Sequence, residues 1–187
     1  MNKELKTMLY CAFLILAIIA IVINVVSLSS SGYVEGVTKS SQRLALNRLK
    51  IPRLKHSSEI GGYPRLRKHE DVKLIAVKKD NRLYVVKNHQ VIYIINAKIN
   101  HSSTTTRLNA ARGEVAFHVE GKTQSIAEKW ISFDKLGYIE TPVSIDGQKV
   151  KGNWLKDKSH VPNAIEVSRP DAKWLQQLPK GTEIVIN

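Results

Sequence analysis

The stretch SHVPNAIEVSRPDAKWLQQLPKGTEIVI, residues 159–186, decides how this chain folds. AIEVS reads as a short strand, and Ser168 at its end is a residue type that caps helices. Asp171 follows three residues later, and Pro170 falls in the first turn, where its missing N–H is no loss. RPDAKWLQQL therefore reads as a helix, with Trp174 assigned to core packing. Gly181 breaks the chain before TEIVI, a last strand.

Upstream, a period of two governs the sequence from residue 72. VKLIAV, a turn at Lys79-Asp80-Asn81, RLYVV, a turn at Lys87-Asn88 and QVIYIINAKI make a β-meander. HSSTTTRLNAARG reads as a loop. EVAFHVEG then alternates, with Val115, Phe117 and Val119 on one face and Glu114, Ala116 and His118 on the other. WISFD, LGYIETPVSIDG and the 150s add short strands and turns. The expectation is a mostly β domain with one or two short helices.

The N-terminal end has a different character. MLYCAFLILAIIAIVINVVSL, residues 8–28, contains no charge, Pro or Gly; as a helix it would rise about 31 Å, the thickness of a bilayer core. Lys3 and Lys6 precede it, which holds residues 1–7 in the cytoplasm and exports the remainder of the chain. A signal peptide cleaved near Ser27-Leu28-Ser29 is the alternative, giving a secreted protein. The run exceeds an ordinary signal core of about 7–15 residues, so a single-pass anchor is preferred. The only cysteine, Cys11, lies within it, so the exported part has neither a disulfide nor a thiol nucleophile.

The formal charge is +13, from 29 Lys and Arg against 16 Asp and Glu. An excess of that size points to an anionic partner. An exported domain sets nucleic acid aside and leaves phospholipid or an anionic wall polymer. Between residues 32 and 80 there are 12 Lys and Arg against 5 Asp and Glu. VTKSSQRLALNRLKI suggests a short basic helix before Pro52. IPRLKHSSEIGGYPRLRKHE is broken by prolines and a Gly pair, so residues 29–61 read as a basic stem.

Local motifs for catalysis are sparse. There is no G-x-S-x-G elbow, no H-E-x-x-H and no glycine-rich phosphate loop. Ser159 and His160 are adjacent, which on an extended strand points them apart. His101, His118 and His160 are too dispersed to suggest a metal, and ordinary hydrogen-bonded or exposed histidines account for them; neither metal nor cofactor is expected. Trp154, in a polar stretch, is the aromatic placed to line a groove.

Longer motifs supply a resemblance. YPRLRKHEDVKLIAV (63–77), RLYVVKNHQVIYII (82–95), TTTRLNAARGEVAF (104–117), WISFDKLGYIETPVSIDGQKV (130–150) and the closing stretch from residue 159 occur in one order. In that order they resemble the L,D-transpeptidase catalytic domain (the YkuD-like fold) over nearly all of residues 62–187. The resemblance implies a β-sandwich and peptide exchange on peptidoglycan, in which a cysteine thiolate attacks a stem-peptide carbonyl.

Carried over residue by residue, that chemistry fails. Ser159 and His160 match the family's Ser-His, but its glycine is replaced by Val161-Pro162-Asn163. Ala164 falls where the nucleophile belongs, and Glu166 stands where an arginine commonly follows. Glu140, in Tyr138-Ile139-Glu140-Thr141-Pro142, takes the position of the activating histidine. The site is degenerate at Glu140, Ser159, His160, Ala164 and Glu166. A remnant cleft is expected to offer Glu140, Trp154, His160, Asn163 and Glu166 to a ligand. The resemblance implies an inactive wall-facing protein with peptidoglycan or a wall-assembly protein as partner. The alternatives are residual wall chemistry through Ser159, Ser168 or Thr141, and a structural or regulatory role in a membrane complex.

Overall fold

A computed structural model describes residues 8, 10–19, 32–66, 71–120, 123–145, 148, 150, 154–156 and 161–187. They fall into two compact units, Met1–Tyr33 and Val34–Asn187. In the first, residues 10–19 are helical. Among the described residues no helix is long and apolar enough to cross a membrane. The expected anchor, residues 8–28, lies largely outside the described residues, as do residues 1–7.

The second unit opens with α1 (Lys39–Arg48). The expected meander comes next as β1 (Val72–Val77), β2 (Arg82–Lys87) and β3 (Gln90–Ile99), all antiparallel. Asn81 and Asn88 take the left-handed backbone at its turns, with φ of 52° and 48°, a conformation Asn tolerates better than most side chains. β4 (Thr104–Glu120) and β5 (Thr123–Phe133) form a long hairpin. β6 (Gly137–Glu140), β7 (Ser144–Ile145), β8 (Ala164–Val167), α2 (Arg169–Leu175) and β9 (Glu183–Ile186) complete the chain.

Two strands change sheets. β3 pairs with β2 along most of its length, but its last residues, Ala97–Ile99, pair with β8. β4 pairs with β9 through Thr104–Arg107 and then with β5. The nine strands of the described residues, ordered β4-β9-β1-β2-β3-β8-β6-β5-β7, therefore close on themselves through the β4–β5 pairing, giving a barrel-like sandwich. The sequence reading of residues 101–113 as a loop is corrected: the strand starts at Thr104, because the TTT segment completes the ladder beside β9.

β1–β3 are buried on both faces, which is why VKLIAV, RLYVV and YIINA read as near-continuous apolar runs. Leu74, Leu83, Val85, Tyr93 and Ile95 face the main core with Trp174, Leu175 and Leu178. Ile75, Tyr84, Val86 and Ile94 face outward, where Ala45 of α1 covers them.

Residues 34–61, read from the sequence as part of a stem, fall in the same compact unit as the strands. Ahead of its β8 contact, β3 has a free edge, and residues 58–59 close it. The Ile94 N–H donates to Glu59 Oε1 at 2.6 Å, and the Asn96 N–H donates to Ser58 Oγ at 2.9 Å. Glu59, buried, also accepts from Arg48 Nε at 2.7 Å. Ser58 in turn donates to Asp171, tying this segment to α2. Pro and Gly content suggested a stem, but an exposed strand edge demands a cover.

Candidate functional site

β6 and β8 run parallel, and their register sets Glu140 beside Glu166 and Tyr138 beside Ala164. Both carboxylates are buried. Two such charges side by side require counter-ions. Lys98, directly opposite Glu166 across the β3–β8 pair, supplies one at 3.3 Å. His118 on β4 supplies the other: its Nε2 lies 2.9 Å from Glu140 Oε2, and its side chain is 21% exposed. The imidazole pKa is raised, chiefly by the hydrogen bond to Glu140; burial opposes this, and the charges of Glu140 and Glu166 add to it. The protonated ring is therefore the favoured partner. Glu140 Oε1 is buried and has no hydrogen-bond partner among the described residues.

His118 reaches this place because the β4–β5 arm curls over β6. Its alternation is as read from the sequence, but the inward face is the small and polar one. Ala116 packs toward a cluster of Ala127, Val143, Val161 and Ala164, while Phe117 and Val119 are 71% and 69% exposed. His118 also meets the edge of Tyr138, with ring centroids 5.6 Å apart. The need to satisfy Glu140 orients the strand against its hydrophobic pattern.

The other predicted residues divide sharply. Ala164 is fully buried and presents only a methyl group. Asn163 adopts a left-handed φ of 60°. Its N–H donates to Asn100 O at 3.0 Å, and its carbonyl accepts from the Tyr138 N–H at 3.2 Å, so its backbone joins the ends of β3, β6 and β8. Ser159 and His160 lie outside the described residues. Trp154, expected to line a groove, is 1% exposed and sits on a short 3-10 turn, Trp154–Lys156. Burying so large an apolar ring outweighs the polar character of its sequence neighbours.

Two of the three hydroxyls considered for residual chemistry, Ser168 and Thr141, hold structure. Ser168 Oγ donates to Asp171 Oδ2 at 2.6 Å and accepts from the Asp171 N–H, capping α2. Thr141 Oγ1 accepts from the Glu128 N–H at 2.7 Å. Among the described residues no set of three or more His, Cys, Asp or Glu is arranged to hold a metal ion.

Sequence reasoning missed His118 and Lys98 as partners of the carboxylate pair. Lys98 carried a usable signal, since a lone lysine in the apolar strand QVIYIINAKI requires a buried anion. His118 carried a weaker one, its place on the face of β4 opposite the large apolar residues.

The domain has the fold of solved L,D-transpeptidases. It superposes on the L,D-transpeptidase (Yku) of Stackebrandtia nassauensis with a TM-score of 0.50 and 11% identity, over 68% of this chain and 61% of that one. It also superposes on L,D-transpeptidase 1 of Mycobacterium tuberculosis (TM-score 0.48, 12% identity, 63% of this chain and 62% of that one). A fused Zn-dependent amidase/peptidase/peptidoglycan-binding domain-containing protein from Clostridium acetobutylicum gives a TM-score of 0.49 at 16% identity, over 66% of this chain and 55% of that one. The chain thus spans between 55% and 62% of the length of these structures. At such identities the likeness is one of fold. No protein-family model matches the sequence, and no curated protein matches it.

Proposed function

We propose that this chain is a catalytically inactive L,D-transpeptidase-like protein that acts at the cell wall by holding peptidoglycan stem peptides. One observation carries the reading: Glu140, on the strand next to the position where the resemblance places the nucleophile and two residues along its register, is buried and keeps Oε1 without a donor among the described residues. A buried carboxylate oxygen without a donor is costly. An amine or amide N–H of a bound stem peptide would supply one. Loss of the thiol and retention of the fold support inactivity. A methyl group at position 164 cannot be acylated, and the residues beside it form ion pairs rather than an oxyanion site.

The test uses the full-length chain and tetrapeptide-stem muropeptides, followed by native mass spectrometry. The expected result is an intact muropeptide in a non-covalent complex that Glu140→Gln weakens. Release of the terminal D-alanine, or a cross-linked dimer, would overturn inactivity. Absence of any complex would remove the stem peptide as ligand and favour a protein partner at the wall.

A further inference from the structure

A second groove lies apart from the β6–β8 site. One wall is the loop of residues 50–58. An antiparallel bridge between Leu49 and Glu59 closes this loop, and the Lys50 N–H donates to Ser58 O at 2.7 Å. Its tip is pinned to the start of α2, where the Arg169 N–H donates to Leu54 O at 2.9 Å. The opposite wall is formed by Leu155 and Lys156. The cavity between them measures about 800 Å³, within the range of about 300–1,000 Å³ common for ligand sites. Because the loop wall is tied by backbone hydrogen bonds, that side needs little ordering on binding.

Its chemistry is one-sided. Arg53, Lys55, His56 and Lys156 line the groove with no acidic residue among the described lining. None of the four makes an ion pair among the described residues, whereas basic groups elsewhere do: Arg48 with Glu59, Lys73 with Glu183, Arg169 with Glu128. Between the cations the groove is apolar, with Leu54, Leu155 and the well-exposed Ile51.

We infer that this groove docks an acidic peptide segment of a partner protein, one that carries aliphatic side chains between its carboxylates. The cations match the acidic groups, and the aliphatic side chains cover Leu54, Leu155 and Ile51. A phosphodiester polymer would satisfy the cations and leave the apolar floor wet. A bilayer surface does not enter a concave groove.

The experiment uses the full-length chain and a fluorescein-labelled nine-residue synthetic peptide alternating Glu and Leu, read by fluorescence anisotropy. Saturable binding is expected, weakening severalfold as salt rises to physiological strength. The double variant Arg53→Glu with Lys156→Glu should weaken it about tenfold or more; Leu155→Ser should weaken it as well. Lys79→Glu, an exposed charge outside the groove, should leave it unchanged, and circular dichroism should show every variant folded as the parent. Equal binding of the peptide with Gln in place of Glu would overturn the inference. So would equal loss with Lys79→Glu, absence of saturable binding, or displacement of the peptide by inorganic polyphosphate or anionic vesicles at lower concentration. The inference is independent of stem-peptide retention, which Glu140→Gln reads separately.

Discussion

His118 on β4 and Glu140 on β6 meet at 2.9 Å, although 22 positions separate them in the chain. The contact ties β4 to β6 across the sheet, alongside the β4–β5 and β5–β6 ladders. It also supplies the charge without which Glu140, next to Glu166, would be an uncompensated buried anion.

That contact makes stability depend on pH. The folded-state pKa of His118 lies above its ordinary value of 6.5. The native state therefore holds more protons than the unfolded chain between 6.5 and that raised value. The stabilisation is complete below about pH 6.5 and is lost as pH rises through the folded value. His118→Gln, which keeps a donor but no charge, should remove this slope and cost about 1–3 kcal/mol at pH 6. Urea denaturation of both forms across pH 5.5–9 checks it; an unchanged slope in the variant would sink the assignment.

Asp171 anchors the other polar centre of the domain. It accepts from Tyr63 Oη at 2.7 Å, Ser58 Oγ at 2.7 Å and Ser168 Oγ at 2.6 Å. Burial drives its pKa upward, and those hydrogen bonds pull it back. Tyr63→Phe keeps the stacking on Trp174 at 5.2 Å and should cost about 1–2 kcal/mol. Asp171→Ala should cost about 3–5 kcal/mol, because several buried donors lose their acceptor. The double variant should cost less than the sum of the two. A double-mutant cycle by chemical denaturation decides this, and strict additivity would contradict the shared network.

A thiol introduced at position 164 should be unreactive. In Ala164→Cys the new sulfur would sit near two buried carboxylates, which disfavour a thiolate and hold its pKa above about 8.5. Iodoacetamide should alkylate the variant slowly at pH 7 and faster only in alkali, and stem tetrapeptides should remain uncut. Rapid alkylation at neutral pH would mean that the carboxylates do not govern the site.

The segment before residue 62 should prove indispensable. A fragment of residues 62–187 loses α1, Ser58 and Glu59. It therefore exposes the outer face of β1–β3 and the free edge of β3. It should be insoluble or lack the cooperative unfolding of residues 34–187, as judged by circular dichroism melts of the two fragments. A cooperative melt at the same temperature would show that residues 34–61 add nothing to the fold.

The sequence by itself determined the β1–β3 meander, because its apolar runs and the Asn turns between them are local. It determined the cap of α2 at Ser168 for the same reason. It also excluded a thiol nucleophile from residues 12–187, since residue identity needs no fold. Their order along the chain singled out Glu140, Ala164 and Glu166 as positions to compare, through the resemblance alone. Only the tertiary structure decided that Glu140 and Glu166 stand in register on parallel strands. It also decided that His118 and Lys98 neutralise them, that Trp154 is buried, and that Ser58 and Glu59 close the open edge of β3. These relationships join residues far apart in the chain. They arise from closing the sheet, where each buried charge and each free edge must find a partner, and no local pattern encodes which partner that is.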